Sequence, residues 1–193
     1  MKKRILCLLV LLGLGMQAQA TLISFMPSSQ QMGLGGTTTV DLVISELGDD
    51  IVSAFDLSIF FDDTILGYES FEFGTGLDIF GFGTINDAID WGFGEVEVFE
   101  LSFDFDEDLD LFQPNSFVLG TFTFTGLQFG TSALDIFVWA VAGAFDPATG
   151  FVTELDVTTV SGSIEVPEPG TLLLFMSGLL CLGMRSRIRA ARA

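Results

Sequence analysis

The sequence has 193 residues and a formal net charge of -19, yet 49% of its residues are hydrophobic and 21 are Phe. The high apolar content excludes intrinsic disorder, the excess of acidic residues excludes binding to nucleic acid, and 2 Cys are too few for a disulfide-stapled miniprotein. All 7 basic residues lie in the first four or last nine positions, so an acidic body separates two basic ends. The length is that of one ordinary domain with short appendages.

The N-terminal end, residues 1–20, has the composition of a secretory signal peptide. Residues 2–4 are basic, residues 5–16 form an apolar run, and Ala18 and Ala20 supply the small side chains that signal peptidase accepts. An uncleaved anchor helix is the alternative, but the apolar run is short for a bilayer. We expect signal peptidase to cleave after Ala20.

The body, residues 21–165, has apolar residues at every second position, which is the periodicity of half-buried β-strands. Between residues 37 and 45, for example, Val40, Leu42 and Ile44 alternate with mainly polar neighbours. Clusters of Gly, Pro, Asp and Asn separate such runs and predict turns. The predicted strands are residues 22–25, 37–45, 54–62, 65–73, 96–103, 117–124, 133–138 and 157–164.

About eight short strands without long helices predict an all-β protein, an antiparallel β-sandwich whose two sheets bury many of the Phe side chains. Two details are less regular. The apolar positions of residues 96–103 change parity, which predicts a β-bulge near Phe99. Residues 85–91 are predicted to form one short helical turn.

The densest acidic segment contains Asp104, Asp106, Asp108 and Asp110, and oxygen-only ligands of this kind suit Ca²⁺. Their alternation resembles the start of an EF-hand loop. Leu109, however, replaces the turn Gly, and Asn115 replaces the bidentate Glu, so the EF-hand is rejected. A calcium site in a loop and a solvated acidic loop remain as alternatives, and no other cofactor is predicted.

Side chains suited to catalysis are scarce. Without His, neither a Ser-His-Asp triad nor a His-containing zinc site can form, and we predict no catalytic residue and no enzymatic activity. A carboxylate pair such as Glu97 and Glu100 is the remaining route to a small hydrolase. Trp91, Trp139 and Tyr68 could stack on sugar rings, but the predominance of Phe favours a core position for them.

The C-terminal end has three parts: Pro167-Glu168-Pro169, an apolar run at residues 172–184, and a tail with four Arg. The run is shorter than the roughly 20 residues that span a bilayer, so physical reasoning allows a weak anchor, a buried helix or a processing signal. The order of these parts resembles the PEP-CTERM sorting signal of Gram-negative bacteria that produce exopolysaccharide. The resemblance implies that an exosortase recognises Pro167, Glu168 and Pro169, while a short hydrophobic helix holds the protein transiently in the inner membrane.

The body also resembles a known group of modules. Residues 40–44, 54–62 and 65–66 are similar to the opening strands of cohesin-type domains, which implies a jelly-roll sandwich. The resemblance does not imply dockerin binding, because recognition surfaces are not determined by the fold.

These observations predict three parts: a signal peptide (1–20), an acidic β-sandwich (21–165) and a sorting segment (166–193). The predicted function is that of an exported, exosortase-sorted structural or adhesive protein of the cell surface or extracellular matrix, associated with exopolysaccharide or biofilm. A carbohydrate- or protein-binding module is the alternative. Exosortase, signal peptidase, the inner membrane and exopolysaccharide are the expected partners, and nucleic acid is not.

Overall fold

Alternating apolar residues place the chain in two β-sheets whose apolar faces meet. The computed structural model describes residues 20–170. The predicted signal-peptide residue Ala18 and the predicted C-terminal hydrophobic helix lie outside the described residues. The elements are β1 (Thr21–Met26), β2 (Ser29–Gln31), β3 (Thr37–Ser45), β4 (Ala54–Phe60), β5 (Leu66–Phe73), β6 (Thr84–Gly92), β7 (Glu95–Ser102), α1 (Asp106–Phe112), β8 (Phe117–Gly126), β9 (Gly130–Asp146), β10 (Phe151–Glu154), β11 (Val157–Val160) and β12 (Gly162–Val166).

The strand order shows how the two ends of the body come together. One sheet has the order β11-β1-β3-β8-β5, and the other has the order β2-β12-β9-β4-β7-β6 with β10 added to β9. Neighbouring strands are antiparallel, except that β1 pairs with β11 and β2 pairs with β12 in parallel. The predicted all-β sandwich is therefore confirmed.

Aromatic packing fills the space between the sheets. Phe122 on β8 is fully buried, and its ring centroid lies 4.5 to 6.4 Å from those of four other rings, which belong to Phe25, Tyr68, Phe71 and Phe124. Gly120 makes the packing of Phe71 across β8 possible, because a Cβ there would lie 2.1 Å from the Phe71 ring. These edge-to-face and stacked pairs add to the stabilisation that burial of apolar area provides.

Two predictions about β6 and β7 are wrong. Residues 85–91 belong to β6 and not to a helical turn, because β6 pairs along its length with β7. β7 has no bulge near Phe99, since its register with β4 runs without a shift from Glu95 to Leu101. The prediction assumed that every inward position of this strand is apolar. Glu100, a charged residue, occupies the inward position that follows Val98, so the strand continues without a bulge.

The acidic segment and the last predicted strand also differ from expectation. Residues 106–112 form α1 and not a loop; Leu109 anchors the helix in the interior at 0% exposure, and acidic residues in the first turn suit the positive end of the helix dipole. The predicted strand at 157–164 is two strands, β11 and β12, which separate at Ser161 and enter different sheets.

Candidate functional site

The predicted sorting motif begins where the sandwich ends. Val166 is the last residue of β12, it is 1% exposed, and it pairs with Gly130 of β9. Pro167, Glu168 and Pro169 follow at once, outside any strand and exposed to solvent. A processing enzyme can therefore reach the motif while the core stays intact. Within residues 20–170 no helix has the length and apolar character needed to cross a membrane.

The outward side of β9, β4, β7 and β6 carries large exposed apolar side chains. Trp91 and Trp139 are 56% and 58% exposed, so the expectation that they belong to the core is wrong, whereas Tyr68 packs against the core. We call this surface the tryptophan face. Its other exposed apolar members are Phe60, Ile85, Leu101 and Phe137.

Carboxylates hold the two tryptophans of this face in place. The Trp139 indole N–H donates to Ser58 Oγ at 3.0 Å, and Ser58 Oγ donates to Glu95 Oε1 at 3.1 Å. The Trp91 indole N–H donates to Glu97 Oε2 at 2.7 Å. The Phe137 ring packs edge-on against Trp139, with 4.7 Å between the ring centroids. The face is thus an ordered set of rings and acceptors, because each indole is fixed at its polar atom.

Asp56 gives the tryptophan face an unpaired acceptor. It lies on β4 between Phe99 of β7 and Ala140 of β9, and its buried Oδ1 has no hydrogen-bond partner. Burial raises the pKa of Asp56 above its ordinary value, and the negative charge of Glu97 raises it further. The residue as a whole is only partly buried, so the Asp56 carboxylate still adds negative charge to the surface of this face.

Glu97 and Glu100, the pair considered for glycoside hydrolysis, are not brought together. Glu97 lies beside Trp91 on the outward side of β7, whereas Glu100 continues the inward side after Val96 and Val98 and is 2% exposed. Their carboxylates therefore occupy opposite faces of one strand.

Glu100 is a buried carboxyl with one unpaired oxygen, Oε2. Burial raises the pKa of Glu100 above its ordinary value; hydrogen bonds from Thr84 and Asn86 oppose this shift, and the charge of Asp78 adds to it. The folded protein therefore holds the proton of the Glu100 carboxyl more tightly than the unfolded chain does. The stability that this protonated carboxyl confers is present at low pH. That stability is lost as pH rises from the ordinary glutamate pKa through the raised value.

Glu100→Gln is therefore expected to stabilise the protein at neutral pH by about 1 to 2 kcal/mol, since it removes a buried charge while keeping an acceptor. The melting temperature at pH 7 should rise by about 3 to 6 °C, and the gain should vanish at a pH below the ordinary glutamate pKa. Thermal unfolding from pH 4 to pH 8 measures both effects. Glu72→Gln, at an exposed position on β5, is the matched control, and an equal gain in that variant would refute the prediction.

An acidic cleft of about 760 Å³ lies beside α1. The β3–β4 loop contributes Asp49 and Asp50, and the hairpin of β9 and β10 forms another wall that includes Phe145 and Thr153. The amide of Phe145 donates to Asp106 Oδ2 at 2.6 Å and ties this hairpin to the helix. The carboxylates that line the acidic cleft are Asp49, Asp50, Asp104, Asp106, Glu107 and Asp110.

Three of the four predicted calcium ligands, Asp104, Asp106 and Asp110, line the acidic cleft, and Asp108 does not. The helix directs Asp108 away from Asp106 and Asp110, because residues two apart on a helix point in different directions, whereas residues four apart share a side. Among residues 20–170, no three acidic side chains stand together at the spacing that holds a metal ion. Sequence reasoning missed Asp49 and Asp50, which only the approach of the β3–β4 loop to α1 brings to this cleft.

Comparison with known proteins adds two results. The PEP-CTERM protein-sorting motif matches residues 165–188. No curated protein matches the chain in sequence. The sorting motif indicates export, exosortase processing and sorting to the cell envelope.

Several solved cohesin structures share the fold. The seventh ScaB type I cohesin from Pseudobacteroides cellulosolvens aligns with a TM-score of 0.62 at 16% identity, over 78% of this chain and 94% of its own. A non-cellulosomal cohesin from Archaeoglobus fulgidus aligns with a TM-score of 0.56 at 15% identity, over 77% and 92%. One chain of the cohesin–dockerin complex Coh-OlpA-Doc918 from Clostridium thermocellum aligns with a TM-score of 0.59 at 13% identity, over 76% of this chain and 99% of its own. The protein therefore has a cohesin-like β-sandwich followed by a PEP-CTERM sorting motif.

Proposed function

We propose that this protein is an adhesive binding module of the Gram-negative cell surface or matrix, which an exosortase releases from its inner-membrane anchor after signal peptidase has removed residues 1–20. Its sandwich, residues 21–165, binds a basic protein partner through the tryptophan face. One observation carries the proposal: a single sheet face bears two exposed tryptophans with hydrogen-bonded indoles and an aspartate, Asp56, with one unpaired oxygen.

The chemistry of the tryptophan face supports a protein partner with Lys or Arg side chains. Asp56 on β4 and Glu95 and Glu97 on β7 share this face, while residues 20–170 contain no basic residue that could neutralise them. A Lys or Arg of the partner would pair with these carboxylates and lie against Trp91 or Trp139, which gives a cation–π contact as well as an ion pair. The cohesin–dockerin complexes among the structural neighbours show that this fold serves protein binding in those proteins.

Exopolysaccharide is the second candidate ligand. The packed pair of Phe137 and Trp139 offers an exposed aromatic surface on which a sugar ring could stack. The carboxylates beside these rings favour the basic protein, because they would repel a polysaccharide that carries negative charge.

Crosslinking in the producing bacterium separates these candidates. We expect the parent protein to capture a basic protein partner, and Trp91→Ala/Trp139→Ala to reduce capture by about tenfold or more, as for tryptophan hot spots. Raising the salt concentration should weaken capture by the parent, because the contact depends on ion pairs.

Phe151→Ala is the control, because Phe151 is 74% exposed and lies on β10, outside the tryptophan face. Its capture should equal that of the parent. Capture that survives protease treatment of the matrix but is lost on digestion of the polymer would favour exopolysaccharide. Equal capture by all three proteins would refute a role for this face in either case.

A further inference from the structure

The outer edge of β6 is a row of backbone groups on which another strand can pair. β6 has nine residues, ends its sheet and pairs with β7 alone among the strands of residues 20–170. Proteins usually protect a long edge strand with Lys, Pro or a bulge. β6 contains neither Lys nor Pro, and its register with β7 shifts only at its end, between Asp90 and Gly92.

The other free edges of the two sheets are shorter or interrupted. β2, β10 and β11 have three or four residues each. β5 has eight residues, but its register with β8 shifts in mid-strand, between Tyr68 and Ser70, and such a bulge bends an edge away from further pairing. Among the described strands, β6 is therefore the edge best suited to accept another strand.

The hydrogen bonds of the β6–β7 ladder show which groups face this edge. The Phe103 amide donates to the Gly83 carbonyl at 3.3 Å, one step beyond the two strands and in their register. Because hydrogen-bonded residues alternate along an antiparallel pair, the odd-numbered residues of β6 bond to β7 and the even-numbered residues face the open edge. The Ala88 amide agrees with this phase, since it donates to Asp87 Oδ1 at 2.9 Å.

We propose that β6 pairs with β6 of a second copy of this chain, in an antiparallel two-fold dimer centred on Ala88. Residues 86, 88 and 90 of one copy then exchange backbone hydrogen bonds with residues 90, 88 and 86 of the other, and these are the residues that face the open edge. A centre on residue 87 or 90 would set Asp87 or Asp90 directly against its own copy, which like charges disfavour. The centre on Ala88 places no Asp opposite another Asp.

Side chains on the inner side of the edge complement one another in this register. Asn86 of each copy lies opposite Asp90 of the other. The Asn86 amide group uses one hydrogen for Thr84 Oγ1 at 2.8 Å, and Asp90 uses Oδ1 for the Gly92 amide at 2.8 Å. The second amide hydrogen of Asn86 and the Oδ2 atom of Asp90 can therefore pair across the two-fold axis.

Side chains on the outer side bring apolar surface together. Ile85 of one copy lies next to Trp91 of the other, and these side chains are 52% and 56% exposed in the single chain. Ile89 lies opposite Asp87 of the second copy. The dimer thus buries apolar area that the single chain exposes, and it joins two tryptophan faces along one continuous sheet.

Repulsion between the two acidic bodies opposes the dimer, because residues 20–170 of each copy contain no basic residue. Salt screens this repulsion, so added salt strengthens the dimer. The contact between the tryptophan face and a basic partner responds to salt in the opposite direction. The dimer does not rest on that contact, and Trp139→Ala on β9, away from the β6 edge, should leave it unchanged.

Sedimentation equilibrium of the exported protein, purified from the producing bacterium, tests the proposal. We expect a dimer and no larger species, since a two-fold interface is closed. Raising NaCl from about 20 to about 500 mM should lower the dimer dissociation constant by about tenfold. Asn86→Asp, which sets like charges opposite each other, should raise that constant by about tenfold or more, and Asn86→Asp/Asp90→Asn should restore it to within about threefold of the parent.

Ser70→Asp is the matched control, because it adds the same charge at an exposed position on the edge strand β5. It should dimerise as the parent does. A species that stays monomeric at every salt concentration would overturn the proposal. An equal loss of dimer in Ser70→Asp, or a folded double variant that does not recover, would also overturn it.

A disulfide test keeps the proposal falsifiable if Asn86→Asp fails to fold. Residues 87 and 89 face each other across the two-fold axis, with about 4.5 Å between Cα atoms, which suits a disulfide. A mixture of Asp87→Cys and Ile89→Cys should therefore form disulfide-linked dimers on oxidation, whereas each variant alone should stay at the level of the parent. Equal crosslinking by the mixture and by the single variants would refute this register.

Discussion

Alanine in place of Pro167, Glu168 and Pro169 is expected to abolish exosortase processing and leave the precursor in the membrane fraction. The three residues lie within the matched sorting motif and are exposed. They follow Val166, whose side chain completes the core, so the substitution leaves the sandwich itself unchanged. The measurement is the mass and the cellular fraction of the protein, by immunoblot of membrane, periplasm and medium.

The strain that lacks its exosortase provides the matched control. The parent protein in that strain should have the mass and location of the triple variant in the normal strain, and the two defects should not add, because they block one step. Processing of the triple variant at the normal rate would contradict the assignment of these residues as the recognition motif.

Phe122→Ala is expected to cost about 3 to 5 kcal/mol of unfolding free energy, the range for large aromatic truncations in a core. Phe122 is 0% exposed and contacts four other rings, so the neighbouring side chains cannot close the space that its ring leaves. A loss of this size is a large share of the stability of a typical domain and should lower the melting temperature by about 9 to 15 °C.

Thermal and urea unfolding measure the cost of Phe122→Ala, and Phe151→Ala is the comparison because its ring is 74% exposed. The exposed substitution should change the unfolding free energy by less than about 0.5 kcal/mol. A loss below 1 kcal/mol for Phe122→Ala would mean that the ring cluster does not form the core.

Strands with one buried and one polar face were predictable from the sequence. The segment 37–45 was predicted with the bounds that β3 has, because Val40, Leu42 and Ile44 alternate with less buried neighbours. β6 was not predictable in the same way. Its residues are mostly exposed on both faces, so its strand conformation depends on pairing with β7 and not on a periodic pattern of its own.

The candidate site was less predictable than the fold, because it depends on contacts between distant segments. Trp139 lies on the outward side of β9 with Phe137, and Ser58, far away in sequence, fixes its indole. Asp49 and Asp50 reach the acidic cleft because Gln113 and Asn115 hold their loop beside α1. Local composition identified the acidic segment at 104–110, but nothing local indicates which of its carboxylates share a cavity.

The short final strand determines how the protein would carry mechanical load. While the far end of the tail is held, tension would enter at Val166 and run along β12, which is hydrogen-bonded to β9 on one side and to β2 on the other. Pulling along the strand axis shears these ladders, so their hydrogen bonds share the force and are not opened one at a time. β9 also carries Phe137 and Trp139, and a partner on the tryptophan face would thus be joined to the tail through two adjacent strands, with the opposite sheet outside the path of force.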